Sequence, residues 1–132
     1  MIEEYIANSQ FQDALELLTD LDDEMVRYQR LVCLYGLGEY QAARSEGVLA
    51  KAKAGNTYYD VISIYVAVLK ELEEFEEAIN IIVEELSMPY IPYEYESVFN
   101  AAYDELLLAK REANEGMERH NNAFSLEDME NI

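Results

Sequence analysis

The chain has 132 residues, 51% of them hydrophobic, which suits one ordinary domain with a core and excludes a disordered segment. Nine Lys and Arg against 28 Asp and Glu give a net charge of −19, so direct binding of nucleic acid or of a membrane surface is disfavoured. Two prolines, five glycines and no tryptophan, beside plentiful alanine, leucine and glutamate, predict an all-α domain.

Cysteine content and hydrophobic patterning predict a cytoplasmic protein. Cys33 is the only cysteine, so no internal disulfide forms and a reducing compartment is the simplest location. The segment from Met1 to Tyr5 carries acids where a signal peptide needs basic residues. The longest apolar stretch, Val61 to Leu69, is interrupted by Ser63 and is far shorter than the roughly 20 residues that cross a bilayer.

Helical periodicity predicts seven helices along the chain. They lie near residues 2–8, 11–19, 22–36, 40–54, 58–72, 75–87 and 93–115. Asp20 with Asp23, and Thr57 with Asp60, place an oxygen before a helix and an acid three residues later. These pairs predict caps at the starts of the third and fifth helices.

The fifth helix is the element with a strand alternative. The β-branched residues at even positions from Ile62 to Val68 would form one face of a strand. Ile62, Tyr65 and Leu69 also follow helical spacing, and no second segment of the sequence offers a strand to pair with it. We therefore predict a helix over this stretch.

One short pattern recurs three times: a turn, an aromatic residue, two further residues and an alanine. The copies are Ser9-Gln10-Phe11-Gln12-Asp13-Ala14, Gly38-Glu39-Tyr40-Gln41-Ala42-Ala43 and Glu73-Glu74-Phe75-Glu76-Glu77-Ala78. Their alanines lie 29 and 35 residues apart, on either side of the period of about 34 residues of helix–turn–helix solenoids. Two antiparallel helices need a small residue where their axes come closest, and the aromatic residue fills the wedge between neighbouring hairpins.

On these residues the chain resembles the tetratricopeptide repeat family from residue 1 to about 88. The resemblance implies an all-α solenoid of antiparallel helix pairs, with a truncated first helix in the first copy. The sequence departs from the family at the turn glycine, which is present only as Gly38 and is replaced by Ser9 and Glu73, and the usual first-helix tryptophan is absent. Gly47 stands where a bulky residue is usual, which predicts a loosely packed middle repeat.

A proline-flanked link, Pro89 to Pro92, precedes the seventh helix. We predict that this helix is long, ends at Gly116 and packs on the last repeat as a C-terminal cap. The repeat domain is then residues 1–116. Residues 117–132 form a polar tail, interpreted either as the start of a further helix or as a truncated next domain. We therefore expect the chain to be the N-terminal piece of a longer protein.

The inventory of catalytic and metal-ligating residues is poor. His120 is the only histidine and lies in the polar tail, while Cys33 sits among apolar residues. The segment Gly36 to Gly38 lacks the third glycine and the lysine of a phosphate loop. The acidic clusters at 20–24 and 73–77 lack the ligand spacing of a metal site and fall at helix starts, where the helix dipole stabilises carboxylates. We expect no enzyme activity, no metal and no cofactor.

The resemblance implies a binding role, since in that family the first helix of each pair lines a concave groove. Carried over onto this chain, the groove positions are Met25, Tyr28, Val32, Tyr35, Asp60, Ser63, Ala67 and Lys70. This mixed apolar and polar wall fits an extended or helical peptide that inserts apolar side chains. Packing of Tyr28 and Tyr35 against a neighbouring helix is the alternative, and it stays open at this point.

Four further expectations concern partners. Part of that family grips a C-terminal carboxylate with lysines and asparagines, but this chain has Tyr28, Val32, Ser63 and Ala67 at the matching places, so we do not expect that activity. The charge favours a basic protein or peptide. As an alternative function, the chain is an acidic charge mimic or escort that binds basic proteins through surface carboxylates. A homodimer also stays open.

Eleven tyrosines are unusual for this length. One cluster, Tyr90, Tyr93 and Tyr95, surrounds the proline-flanked link. Tyrosine is enriched at interfaces, so the cluster could be a recognition surface. We favour the other interpretation, in which it packs the link against the repeats.

Overall fold

The computed structural model describes the backbone of residues 2–18 and 22–130 and the side chains of residues 2–18 and 22–116. Over these ranges the chain is all-α, with seven helices and no strand. The helices are α1 (Ile2–Ala7), α2 (Phe11–Leu17), α3 (Glu24–Gly36), α4 (Tyr40–Lys53), α5 (Tyr58–Glu71), α6 (Phe75–Leu86) and α7 (Tyr93–Glu130). The prediction of an all-α chain is confirmed.

The stretch from Val61 to Leu69 lies within α5 and is helical. Two hydrophobic clusters explain why it looked like a strand. Val61 and Val68 pack against the cluster formed with α3 and α4, while Ile62, Val66 and Leu69 pack against the cluster formed with α6 and α7. Burial on two sides of one helix requires an almost continuous apolar run, and such a run carries little periodicity of its own.

The turns after α1, α3 and α5 share one backbone geometry. The residues Ser9, Gly38 and Glu73 have φ angles of 60°, 75° and 61°, in the left-handed region. The next residue of each turn donates its N–H to the carbonyl oxygen five residues earlier. These bonds are Gln10 to Tyr5 (2.7 Å), Glu39 to Leu34 (3.0 Å) and Glu74 to Leu69 (2.8 Å). All three helices therefore end in the same Schellman motif, although only the turn after α3 has a glycine at the left-handed position.

The aromatic residues of the recurring pattern open the helices that follow these turns. Phe11, Tyr40 and Phe75 are the first residues of α2, α4 and α6, as predicted. The three alanines of the pattern, Ala14, Ala43 and Ala78, are all fully buried at 0% exposure. The turn positions and the small contact residues predicted from the pattern are confirmed.

Gly47 is a site of close packing between α4 and α5, so the prediction of a loose middle repeat is wrong. A Cβ atom added at this position would lie 2.6 Å from Cδ2 of Tyr65. The ring of Tyr65 therefore fills the space that a bulky side chain on α4 would occupy. Gly36 has a similar role at the end of α3, where the ring of Phe11 lies against its backbone.

The cap prediction for α3 and α5 holds only in part. Asp23 caps α3, because its side chain accepts hydrogen bonds from the backbone N–H of Met25 (3.0 Å) and Val26 (3.4 Å). Its predicted companion, Asp20, lies outside the described residues. Thr57 precedes α5 but makes no side-chain cap bond; its hydroxyl instead donates to Oε2 of Glu24 at 2.8 Å.

Glu24, the first residue of α3, holds the loop between α4 and α5. Besides the Thr57 hydroxyl, its carboxylate accepts the backbone N–H of Thr57 at 3.0 Å and the backbone N–H of Gly55. These three hydrogen bonds, that of Gly55 foremost, lower the pKa of the Glu24 carboxyl below its ordinary value. An acid at the start of one helix thus fixes the start of another.

Helix α7 continues through Gly116 to Glu130, so the predicted stop at that glycine is wrong. Gly116 does not adopt the left-handed conformation that such a stop uses. With 38 residues, α7 is about 57 Å long, against about 18 Å for the 12 residues of α6. Phe99 and Leu106 bury the N-terminal half of α7 against α5 and α6.

Each helix packs on the next one along the chain, and α3 and α7 also both pack on α5. The three helices α3, α5 and α7 therefore lie side by side and share one face of the domain. Within the part of the chain that the structure describes, no helix is both long and apolar enough to span a bilayer.

Candidate functional site

A cavity of about 170 Å³ opens on the face shared by α3, α5 and α7. We call it the groove pocket. Its lining residues are Tyr35, Ser63, Val66, Ala67, Lys70, Glu71, Ala102, Glu105 and Leu106. The predicted groove positions Tyr35, Ser63, Ala67 and Lys70 are all among them. The structure thus brings half of the eight predicted residues together at one opening.

The other four predicted positions lie outside the groove pocket. Met25 is exposed near the start of α3, and Val32 is half-buried in the middle of that helix. Tyr28 packs against the cluster of α3, α4 and α5, as Tyr35 also does. Packing and groove exposure are therefore not exclusive alternatives for Tyr35, which has both.

Asp60 belongs to a tyrosine cluster that joins α5 to α7. The Tyr95 hydroxyl donates to Oδ1 of Asp60 at 2.8 Å, and this bond, together with partial burial, raises the pKa of Tyr95. Burial raises the pKa of Tyr28, with a further contribution from the charge of Asp60. The rings of Tyr59 and Tyr95 stack with centroids 5.1 Å apart. Asp60 on α5 is therefore bonded to Tyr95 on α7, whose ring stacks on the neighbouring Tyr59.

Charged residues line part of the groove pocket. Nζ of Lys70 on α5 lies 3.5 Å from Oε2 of Glu105 on α7. Burial raises the pKa of Tyr35, and the nearby charge of Glu71 raises it further. Two carboxylates and one ammonium group therefore border the opening. The Tyr35 ring is itself in contact with Tyr40, at a centroid distance of 5.9 Å.

The sequence interpretation missed the contribution of α7 to this site. Ala102, Glu105 and Leu106 line the groove pocket, but the sequence suggested only a capping role for their helix. Their spacing of three and four residues places them on one face of α7. This shared face of α7 was the signal that the sequence offered.

A second groove lies between α4 and α6, on the other side of α5. It has a volume of about 480 Å³ and is lined by Val48, Lys51, Tyr65, Glu77, Asn80, Ile81 and Glu84. Nη2 of Arg44 on α4 contacts Oε2 of Glu77 on α6 at 2.8 Å beside it. No sequence pattern indicated this groove, because it depends on how far the two helices separate.

The tyrosines around the proline-flanked link divide into two groups. Tyr90 and Tyr93 are 90% and 85% exposed, whereas Tyr95 packs against the cluster of α5, α6 and α7. The favoured interpretation, in which this cluster packs the link, therefore applies to Tyr95 and not to the other two.

Most basic side chains of the described region form ion pairs with carboxylates of the same chain. Arg27 and Arg30 on α3 both contact the buried Glu46 on α4, each at 3.2 Å. Other pairs join Arg44 to Glu74 and Glu77, Lys53 to Asp22, Lys70 to Glu105 and Lys110 to Glu76. Each pair uses one carboxylate for one cation, so the excess of acidic residues in the net charge of −19 stays without basic partners.

Potential reactive groups are placed as follows. Cys33 is fully buried, and burial raises the pKa of its thiol, which disfavours the reactive thiolate. His120 lies outside the described side chains. Within the described part of the chain, no group of His, Cys, Asp and Glu residues is arranged to hold a metal ion.

Similarity to known proteins offers no guide to this site. No protein-family model matches the chain, and neither does a curated protein or a solved structure.

Proposed function

We propose that the chain is a non-catalytic, tetratricopeptide-like scaffold that binds a protein or peptide segment on the face shared by α3, α5 and α7. The observation that carries this proposal is the groove pocket. Residues far apart in sequence, from Tyr35 to Leu106, line one opening there, and its mixture of apolar floor and polar rim is typical of a surface that receives a peptide side chain.

The repeat character of the proposal is supported by the turns. Three turns with one left-handed residue, one hydrogen-bond pattern and one buried alanine each indicate a repeated hairpin. The packing of α3 and α7 on α5 favours a solenoid whose first helices share a face. In this arrangement α7 takes the place of a further first helix and extends the groove.

The compartment and the lack of catalysis are part of the same proposal. We place the protein in the cytoplasm, where a single free thiol such as Cys33 stays reduced. The burial of that thiol agrees with a structural role for it.

The test is to fill the groove pocket and to compare partner capture. Ala67→Trp places a large ring in the pocket, and Val48→Trp places the same ring in the groove between α4 and α6, where Val48 is 55% exposed. Proteins captured from the native cytosol by the wild type should be lost with Ala67→Trp and kept with Val48→Trp. Circular dichroism should show that both variants are folded. Equal capture by the wild type and Ala67→Trp would show that the pocket is not the binding site.

A second candidate function is supported by the charge. The basic residues engaged in ion pairs leave an acidic surface, so the chain could act as a charge mimic or an escort for basic proteins. In that case capture falls steeply as salt is added, since interactions between exposed charges are screened at about 0.1 M ionic strength. Neither tryptophan variant should then affect capture.

A further inference from the structure

We infer that the groove pocket receives an arginine side chain of the bound segment. This inference rests on the proposed function, because it names the chemistry of the residue that the groove selects. Three features of the pocket lead to it: the volume and apolar floor, the charges at the rim, and the aromatic wall.

The volume and floor fit one long side chain. A volume of about 170 Å³ is smaller than the roughly 300–1,000 Å³ of pockets that enclose a drug-sized ligand, so it suits a single side chain. Val66 and Leu106, with exposures of 4% and 1%, form the floor with Ala67 and Ala102. An arginine stem of three methylene groups would lie against these apolar atoms while its charged end stays at the opening.

The rim fits a cation better than any other group. Glu71 and Glu105 outnumber Lys70, so the opening has an excess of one negative charge. The Lys70 and Glu105 side chains are 39% and 68% exposed, and exposed pairs of this kind contribute little stability. A guanidinium group can therefore replace Lys70 at Glu105 and make two parallel hydrogen bonds to the carboxylate, which an ammonium group cannot.

The wall formed by Tyr35 distinguishes arginine from lysine. Contact with Tyr40 holds the Tyr35 ring in place, so no ordering of that ring is required on binding. A planar guanidinium stacks on an aromatic face and is more weakly hydrated than an ammonium group. A leucine in the same place would fill the floor but gain nothing from the excess negative charge at the rim, and a glutamate would be repelled.

The inference is tested with labelled peptides of equal length. One alternates leucine with arginine, and its counterparts replace arginine with lysine, with glutamate or with citrulline, the neutral isostere of arginine. Fluorescence polarisation at low salt should rank arginine first, lysine second, and citrulline and glutamate last. In a protein labelled with ¹⁵N, the arginine peptide should shift the backbone amide signals of Ser63, Ala67 and Ala102.

A pair of variants with matched charge separates the pocket from the general acidic surface. Glu71→Gln with Glu105→Gln removes two carboxylates from the rim. Asp13→Asn with Glu16→Gln removes two exposed carboxylates from α2, outside the groove pocket. The rim variant should weaken binding of the arginine peptide roughly tenfold, as expected for close charge pairs, whereas the α2 variant should weaken it less than about threefold, as expected for screened distant charges.

Several results would overturn the inference. Equal weakening by the two variants would assign binding to the acidic surface as a whole. Equal affinity for the citrulline and arginine peptides, or no binding of the arginine peptide, would show that the pocket does not select a cation. If the arginine peptide does not bind but Ala67→Trp still abolishes capture of native partners, the proposed function stands. Only the inference that the pocket receives an arginine is then wrong.

Discussion

The ring of Tyr65 on α5 lies directly against the backbone of Gly47 on α4, where a Cβ atom would come within 2.6 Å of Cδ2 of the ring. Tyr65 is itself 5% exposed and belongs to the cluster of α5, α6 and α7. Its ring therefore cannot move aside without disturbing that cluster. The glycine is a packing requirement between two helices and not a defect in one of them.

Gly47→Ala should accordingly destabilise the domain. Alanine gains about 1 kcal/mol in helix propensity, but overpacking at a filled site costs about 1–3 kcal/mol, so we expect a net loss of up to about 2 kcal/mol in the free energy of unfolding. Urea denaturation measures it. Gly116→Ala is the control, because a Cβ atom added there meets nothing within 4 Å. A stabilised Gly47→Ala variant would contradict the packing argument.

Glu73→Gly should stabilise the turn between α5 and α6. Glu73 has a φ angle of 61°, a conformation that costs a residue with a side chain about 1–2 kcal/mol and costs glycine much less. We expect a gain of about 1 kcal/mol after the entropy of the more flexible unfolded chain is subtracted. Glu73→Gln controls for the lost charge, since it keeps the strained backbone, and thermal unfolding should leave it close to the wild type.

Glu24 should make the stability of the domain depend on pH. Its carboxylate accepts three hydrogen bonds from Gly55 and Thr57, which lower its pKa in the folded state. The group therefore binds protons more weakly when the chain is folded. Its contribution to stability is complete above its ordinary pKa of 4.5 and is lost as the pH falls through the lowered value.

The measurement compares urea midpoints of the wild type and Glu24→Gln at neutral pH and at about pH 3. The wild type should be more stable at neutral pH, and the difference should shrink on acidification. Glu96→Gln, on the exposed side of α7, serves as the control for general charge effects. A difference between the wild type and Glu24→Gln that stays constant with pH would mean that the loop is not held by the charged carboxylate.

The sequence was sufficient where a local pattern determines the structure. Phe11, Tyr40 and Phe75 marked the starts of helices because each follows a tight turn and precedes a small residue that is buried. The helix over Val61 to Leu69 was predictable because no second strand was present in the sequence. Half of the groove residues that the family resemblance implied line the groove pocket.

The sequence was insufficient where distant residues meet. Nothing near Gly47 indicated that Tyr65 would lie against it, and nothing near Thr57 indicated that its hydroxyl would donate to Glu24, 33 residues away. The part of α7 in the groove was predictable only in part. Helical spacing places Ala102, Glu105 and Leu106 on one face of α7, but the contact of that face with α5 depends on packing between distant residues.

The position of α5 determines how the domain can come apart. Helix α5 supplies residues to both hydrophobic clusters. If either α3 and α4 or α6 and α7 unfolded, one buried face of α5 would be exposed to water. The helices from α3 to α7 should consequently melt in a single cooperative step, as a minimal folding unit. Helices α1 and α2 together contribute only Ala14 as a fully buried residue. They should therefore unfold first and exchange their amide protons with solvent while the helices from α3 onward stay folded.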